Sequence, residues 1–118
     1  MRERLLGSPI DPFAAAIYLL GGKWTLRVAA VLLAGPLRFT DIRRALPGLG
    51  ANVLTKRLRF LESACVVQVE WQGGIPLYGL SAWGSELSTP ISAIKDWSRS
   101  KARPRDVSSL SEDELNDA

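Results

Sequence analysis

Histidine is absent from the 118 residues, and cysteine and methionine occur once each. Without histidine the chain lacks the commonest general acid–base group at neutral pH and the commonest metal ligand. One cysteine, Cys65, excludes an internal disulfide framework and fits a reducing compartment. No apolar run reaches the length of a membrane span, and the opening MRERLLGSPIDPF lacks the apolar stretch of a secretion signal. A cytoplasmic protein with no membrane partner is therefore expected. Carboxylates at metal-ligand spacing are missing too. Gly21-Gly22-Lys23 looks like part of a phosphate loop, but the GxxxxGK[ST] spacing is absent and Trp24 follows the lysine. No catalytic constellation remains, so neither an enzyme nor a cofactor or metal centre is expected.

What is present suits one folded domain. Hydrophobic residues make up 47% and charged residues 23% of the chain, enough for a sizeable core at this length. The formal charge of +3 hides an asymmetry. Residues 106–118 contain five acids and no Lys or Arg, so residues 1–105 hold all 15 basic residues against seven acids, a net of +8. A basic body with an acidic tail points toward a polyanion, although a merely solvated basic surface gives the same count.

Along the chain, residues 1–10 read as a short arm. Asp11 can cap a helix and Pro12 suits its first position, so Phe13–Leu20 reads as a short apolar helix stopped by Gly21-Gly22. Lys23–Ala34 reads as a central apolar helix ended by Gly35-Pro36, and Leu37–Phe39 as an extended piece. Thr40 can cap a third helix to about Leu46, with Asp41 in its first turn. After the turn Pro47–Gly50, Ala51–Ala64 reads as a fourth helix. Val66–Trp71 and Pro76–Leu80 flank Gln72–Ile75 and predict a hairpin. Ser81 can cap a last helix over Ala82–Ser98, kinked at Pro90. The expected fold class is mainly α with a small β-hairpin, a winged helix-turn-helix over residues 1–100. Residues 101–118 are expected to be a polar, disordered tail.

The fourth helix separates its chemistry by face. At about 100° per residue, Leu54, Leu58 and Leu61 align, and Cys65 extends that apolar row, where a thiol would be buried and inert. Asn52, Lys56, Arg59 and Ser63 lie opposite, with Thr55 and Arg57 on the flanks. Such a face is commonly no more than solvated surface. Here it follows a capped helix and a tight turn, and a hairpin comes after it. A helix of this width fits the DNA major groove, where Asn and Arg can bind base edges and Lys serves phosphates. Phe60 projects toward the polar side, to pack under the hairpin or against a neighbouring helix.

Four segments carry a family resemblance: Gly21-Gly22-Lys23-Trp24-Thr25, Arg38-Phe39-Thr40-Asp41-Ile42, Leu54-Thr55-Lys56-Arg57-Leu58-Arg59-Phe60-Leu61, and Tyr78-Gly79-Leu80-Ser81-Ala82-Trp83-Gly84. Together they resemble the HxlR family of bacterial transcriptional regulators, which is MarR-like, over about Asp11 to Trp97. The resemblance implies a homodimer that binds a palindromic operator in double-stranded DNA. It implies that the first and last helices pair the subunits through Phe13, Ile17, Leu20, Ile91, Ile94 and Trp97, although intramolecular core is an equal alternative for each. The implied DNA-binding residues are Arg38, Thr40, Arg43, Asn52, Thr55, Lys56, Arg57 and Arg59, with Gln72 and Gly73 at the hairpin tip. Arg43, like Arg44, could instead be a solvated charge.

The departures carry their own expectations. The family's cysteine before the first-helix proline is Asp11 here, and Cys65 stands where the family has glycine. Gly50 replaces a Ser cap and supplies no side-chain acceptor, and Gln68 replaces a basic hairpin residue, so this wing makes fewer phosphate contacts. Phe13, Tyr18, Trp24, Trp83 and Trp97 are many aromatics for this length. They are accounted for by core and dimer packing, or by an apolar pocket for a small-molecule effector involving Tyr18, Trp24 and Trp83. The competing reading of the whole chain is a winged-helix module that binds protein instead of DNA, which the cations of the fourth helix disfavour.

Overall fold

Thirteen residues decide the architecture, because the fourth helix supplies the seam on which the other elements close. The structure, a computed structural model, describes residues 11–102, 110, 111 and 114. Among these the order is α1 (Pro12–Leu20), α2 (Thr25–Leu32), α3 (Phe39–Ala45), α4 (Ala51–Ser63), β1 (Val67–Gln72), β2 (Ile75–Leu80), α5 (Ala82–Ser85) and α6 (Ser88–Ser98). Leu54, Leu58 and Leu61 of α4 are buried as the periodicity predicts, against Val28 and Leu32 of α2, Ile42 of α3, and Leu46, Leu49, Val66 and Val67. Each such side chain stabilises the fold by about 1.5–3 kcal/mol relative to exposure.

The wing is an antiparallel hairpin paired from Val67–Leu80 to Gln72–Ile75. Gly73 (φ 56°) and Gly74 (φ 80°) form its two-residue turn, with both in the left-handed region that the tightest hairpins require. Leu37 exchanges two backbone hydrogen bonds with Tyr78 (2.9 and 2.8 Å) and adds a third, one-residue strand.

Several boundaries differ from the sequence expectation. Trp24 adopts φ 74°, so α2 starts at Thr25, not Lys23, and it ends at Leu32, short of Ala34. Thr40 is not a cap: α3 starts at Phe39 with Arg38 in the cap position. The Leu37–Tyr78 pairing holds that segment extended up to Arg38, and this tertiary constraint overrides the preference of Thr for caps. The last helix does not kink at Pro90 but breaks before it, between Ser85 and Ser88. Pro90 has no N–H to donate to the Glu86 carbonyl, and its ring crowds that carbonyl. Ser81 does cap α5, accepting from Gly84 N–H at 2.9 Å, and its hydroxyl donates to the Cys65 carbonyl at 2.7 Å. A side chain at Gly84 would collide with the Val66 carbonyl oxygen, so glycine lets α5 sit against the link between α4 and β1.

The arm over residues 1–10 lies outside the described residues, as does most of the tail. In the tail Ser111 and Glu114 are described. Ser111 N–H donates to Glu114 Oε1 (3.0 Å) and Glu114 N–H to Ser111 Oγ (3.1 Å), a reciprocal helix-start pair within a segment expected to be disordered.

Candidate nucleic-acid interface

With its leucines committed to the core, α4 can only turn Asn52, Lys56, Arg59 and Ser63 outward, and all four are exposed. Asn52, Lys56 and Arg59 make no hydrogen bond or ion pair to any described residue. Thr55 is half-buried and its hydroxyl donates to the Ala51 carbonyl at 2.9 Å, leaving only acceptor capacity. Phe60 packs under neither the wing nor a neighbouring helix to any depth, since 42% of it stays exposed.

Arg57 departs from the expected set. It is half-buried, its Nε is buried without a partner among the described residues, and its guanidinium lies against Gly22 behind the helix. It therefore does not share the outward face of Lys56 and Arg59.

The cations of α3 are partly committed. Asp41 accepts from Arg38 Nε at 3.2 Å and from an Arg44 terminal nitrogen at 3.0 Å. The Arg38 hydrogen bond, helped by the charges of Arg38 and Arg44, holds the Asp41 carboxyl below its ordinary value. Arg43 Nε donates to the Leu49 carbonyl at 3.2 Å and so ties α3 to the turn before α4. Thr40 is exposed in the first turn of α3.

A groove of about 290 Å³ separates α4 from the wing, lined on one side by Thr55, Arg59 and Glu62 and on the other by Val69, Trp71 and Pro76. Trp71 is 68% exposed, and Gln72 and Gly73 are exposed at the tip. Residues 66–82 contain no Lys or Arg, so the wing offers an aromatic ring and amides where a cation was already expected to be missing.

A second region lies at α1 and α6. Asp11 caps α1 through Ala14 N–H at 2.9 Å, yet no residue of this apolar helix is buried. Phe13, Ile17, Ile94 and Trp97 are all exposed. Leu20 is half-buried, and Ile91, at 5% exposure, is core within one chain, so it has no surface left for a subunit contact. Between α1 and α5 lies an apolar cavity of about 430 Å³ lined by Ala15, Ala16, Leu19, Leu20, Trp83 and Leu87 among others. Of the three pocket residues expected, only Trp83 lines it. Tyr18 faces solvent, and Trp24 packs on the core with Arg27 stacked 4.6 Å from its ring centre.

Cys65 is also misplaced by periodicity. It is exposed, not buried, because it sits one residue beyond the α4 cap at φ 64°. Cys65 N–H donates to the Glu62 carbonyl (3.0 Å) and Val66 N–H to the Leu61 carbonyl (2.9 Å), the double closure normally built on glycine. The glycine position in the motif was the signal: a left-handed residue there leaves the helical row and turns outward.

A helix-turn-helix with an outward cationic second helix and a following hairpin defines the winged-helix DNA-binding class. No single helix among the described residues is long and apolar enough to cross a membrane. The HxlR-like helix-turn-helix profile matches residues 19–106, and the chain belongs to that family of transcriptional regulators. The HTH-type transcriptional regulator YdeP of Bacillus subtilis (strain 168) is 31% identical over 107 residues, covering 82% of this chain and 84% of YdeP. The reduced form of the B. subtilis transcriptional regulator YodB superposes with a TM-score of 0.72 at 26% identity, covering 83% of this chain and 100% of that one. Quinone-bound YodB superposes with a TM-score of 0.64 at 31% identity, covering 74% and 94%.

Proposed function

We propose that this regulator acts in the cytoplasm as a homodimer on a palindromic operator in duplex DNA, where it occludes transcription as a repressor. The observation that carries the reading is the outward face of α4, where Asn52, Lys56 and Arg59 are exposed and unengaged beside the wing groove. In this reading α4 enters the major groove. Arg59 and Asn52 bind base edges, Lys56 and Arg38 take phosphates, and Thr40, Thr55, Gln72 and Gly73 add positioning contacts. Arg43 steadies the turn through Leu49. Phe13, Ile17, Ile94 and Trp97 supply the subunit contact, because an apolar helix with no buried residue requires a cover. A dimer places two recognition helices to meet half-sites about one helical turn, roughly 34 Å, apart.

The cavity beside Trp83 supports a small apolar or aromatic effector. It adjoins both α1 and α5, so a ligand bound there favours one spacing of the two recognition helices. Operator affinity then changes by the ligand's differential affinity for the two spacings.

Selection of bound sequences from a random duplex pool tests the reading. The expected result is a two-fold symmetric site. If each subunit neutralises roughly four phosphates, log affinity falls with log salt at a slope of about −7. An asymmetric or absent consensus, or a slope near zero, would overturn it.

A further inference from the structure

Among the described residues, two polar atoms lie buried and unpartnered behind the recognition helix: Arg57 Nε and Thr25 Oγ1, the latter on a side chain that is 0% exposed. The two side chains converge on Gly22. A methyl group at that residue would stand 3.0 Å from Thr25 Oγ1, 3.3 Å from a terminal nitrogen of Arg57 and 3.4 Å from its Cζ. The glycine is there for space, and it lets the guanidinium rest on the backbone of the corner between α1 and α2. That corner turns the chain through 86° between the two helices. It also reaches the helix-turn-helix turn, for a methyl at Gly48 would meet the ring of Trp24 at 3.9 Å. Trp24 holds its place in a left-handed conformation that side chains of its size rarely adopt.

We infer that Arg57 is a positioning residue: its guanidinium, seated on Gly22 beside Thr25, sets the angle of α4 against the α1–α2 corner and does not touch DNA. The inference rests on the reading of α4 as the DNA-entering helix. Its consequence is a short mechanical link. Since α1 ends at Leu20 and the corner occupies the next four residues, a tilt of α1 reaches α4 through one half-buried side chain.

The test uses the full chain and the duplex it selects from a random pool. Arg57→Met should weaken binding roughly threefold to thirtyfold with an unchanged salt slope. Gly22→Ala, which alters no charge and lies behind the helix, should do the same. Lys56→Ala provides the contrast, with a slope shallower by about 1.8 per dimer. A slope that falls as much for Arg57→Met as for Lys56→Ala would put the guanidinium on a phosphate and overturn the assignment. Gly22→Ala binding as tightly as the unsubstituted chain would also overturn it. If Arg57→Met does not fold, Arg57→Lys takes its place: it keeps the charge without the planar fork, and full affinity in that variant counts against the proposal. A second arm needs no DNA. Gly22→Ala and Arg57→Met should each lower the melting temperature, with the double variant losing less than the sum, and strict additivity would refute the contact. Failure of the unsubstituted chain to bind any duplex would sink the operator reading alone, and the thermal arm would still decide whether Arg57 holds α4.

Discussion

Helices α1 and α4 are both rich in large apolar side chains, and they place them oppositely. In α4 Leu54, Leu58 and Leu61 are buried and the polar face is left outside, whereas α1 has no buried residue and exposes Phe13, Ile17 and Tyr18. A helix that buries its apolar row within its own chain is specified by that chain. A helix that does not leaves its apolar row open among the described residues, and on the proposed homodimer α1 is the part of the fold that a second subunit completes.

The sharpest way to break this comparison is to truncate the buried row. Leu58→Ala should cost about 2–5 kcal/mol in a denaturant melt, because the cavity left at a 3% exposed site cannot collapse fully. Ile17→Asp, on the 55% exposed face of α1, should leave the helical content of one chain intact. On the proposed homodimer, it should instead give a monomer in sedimentation and lower affinity for a symmetric site by roughly a hundredfold or more. An unchanged mass for Ile17→Asp would show that α1 is not the subunit contact. A smaller effect is expected at the end of α4, where Cys65→Gly should stabilise by about 1 kcal/mol by relieving the left-handed backbone. The smallest is electrostatic. Because Arg38 and Arg44 depress the Asp41 pKa, its stabilising contribution is present above the unfolded-state value and is lost as pH falls through the lower folded value. Asp41→Asn should flatten the melting temperature in that acidic window and, by releasing two arginines, tighten sequence-independent DNA binding at neutral pH.

The same contrast explains what could be read from the letters. The seam of α4, the hairpin around Gly73-Gly74 and the caps at Asp11 and Ser81 follow from periodicity and local backbone chemistry, so they were legible. So was the outward placement of Asn52, Lys56 and Arg59. The inward lean of Arg57 and the exposure of Cys65 were not legible, because a helical wheel does not register contacts from distant segments or a change of backbone region. Arg57 is drawn back by Gly22, 35 positions earlier in the chain, and Cys65 leaves the helical rotation. The start of α3 was set by a strand pair with Tyr78, which local preference at Thr40 could not reveal. At Ser111 and Glu114 the S-x-x-E spacing was a signal available in the sequence and passed over.

The outward turn of Cys65 gives the molecule a built-in attachment point. It is the sole thiol in the sequence and stands just past the C-terminal end of α4, so maleimide chemistry would place one nitroxide per chain with no engineering. Pulsed electron-electron resonance between two such spins in a dimer would then read the helix-to-helix distance in ångströms, with and without a candidate effector.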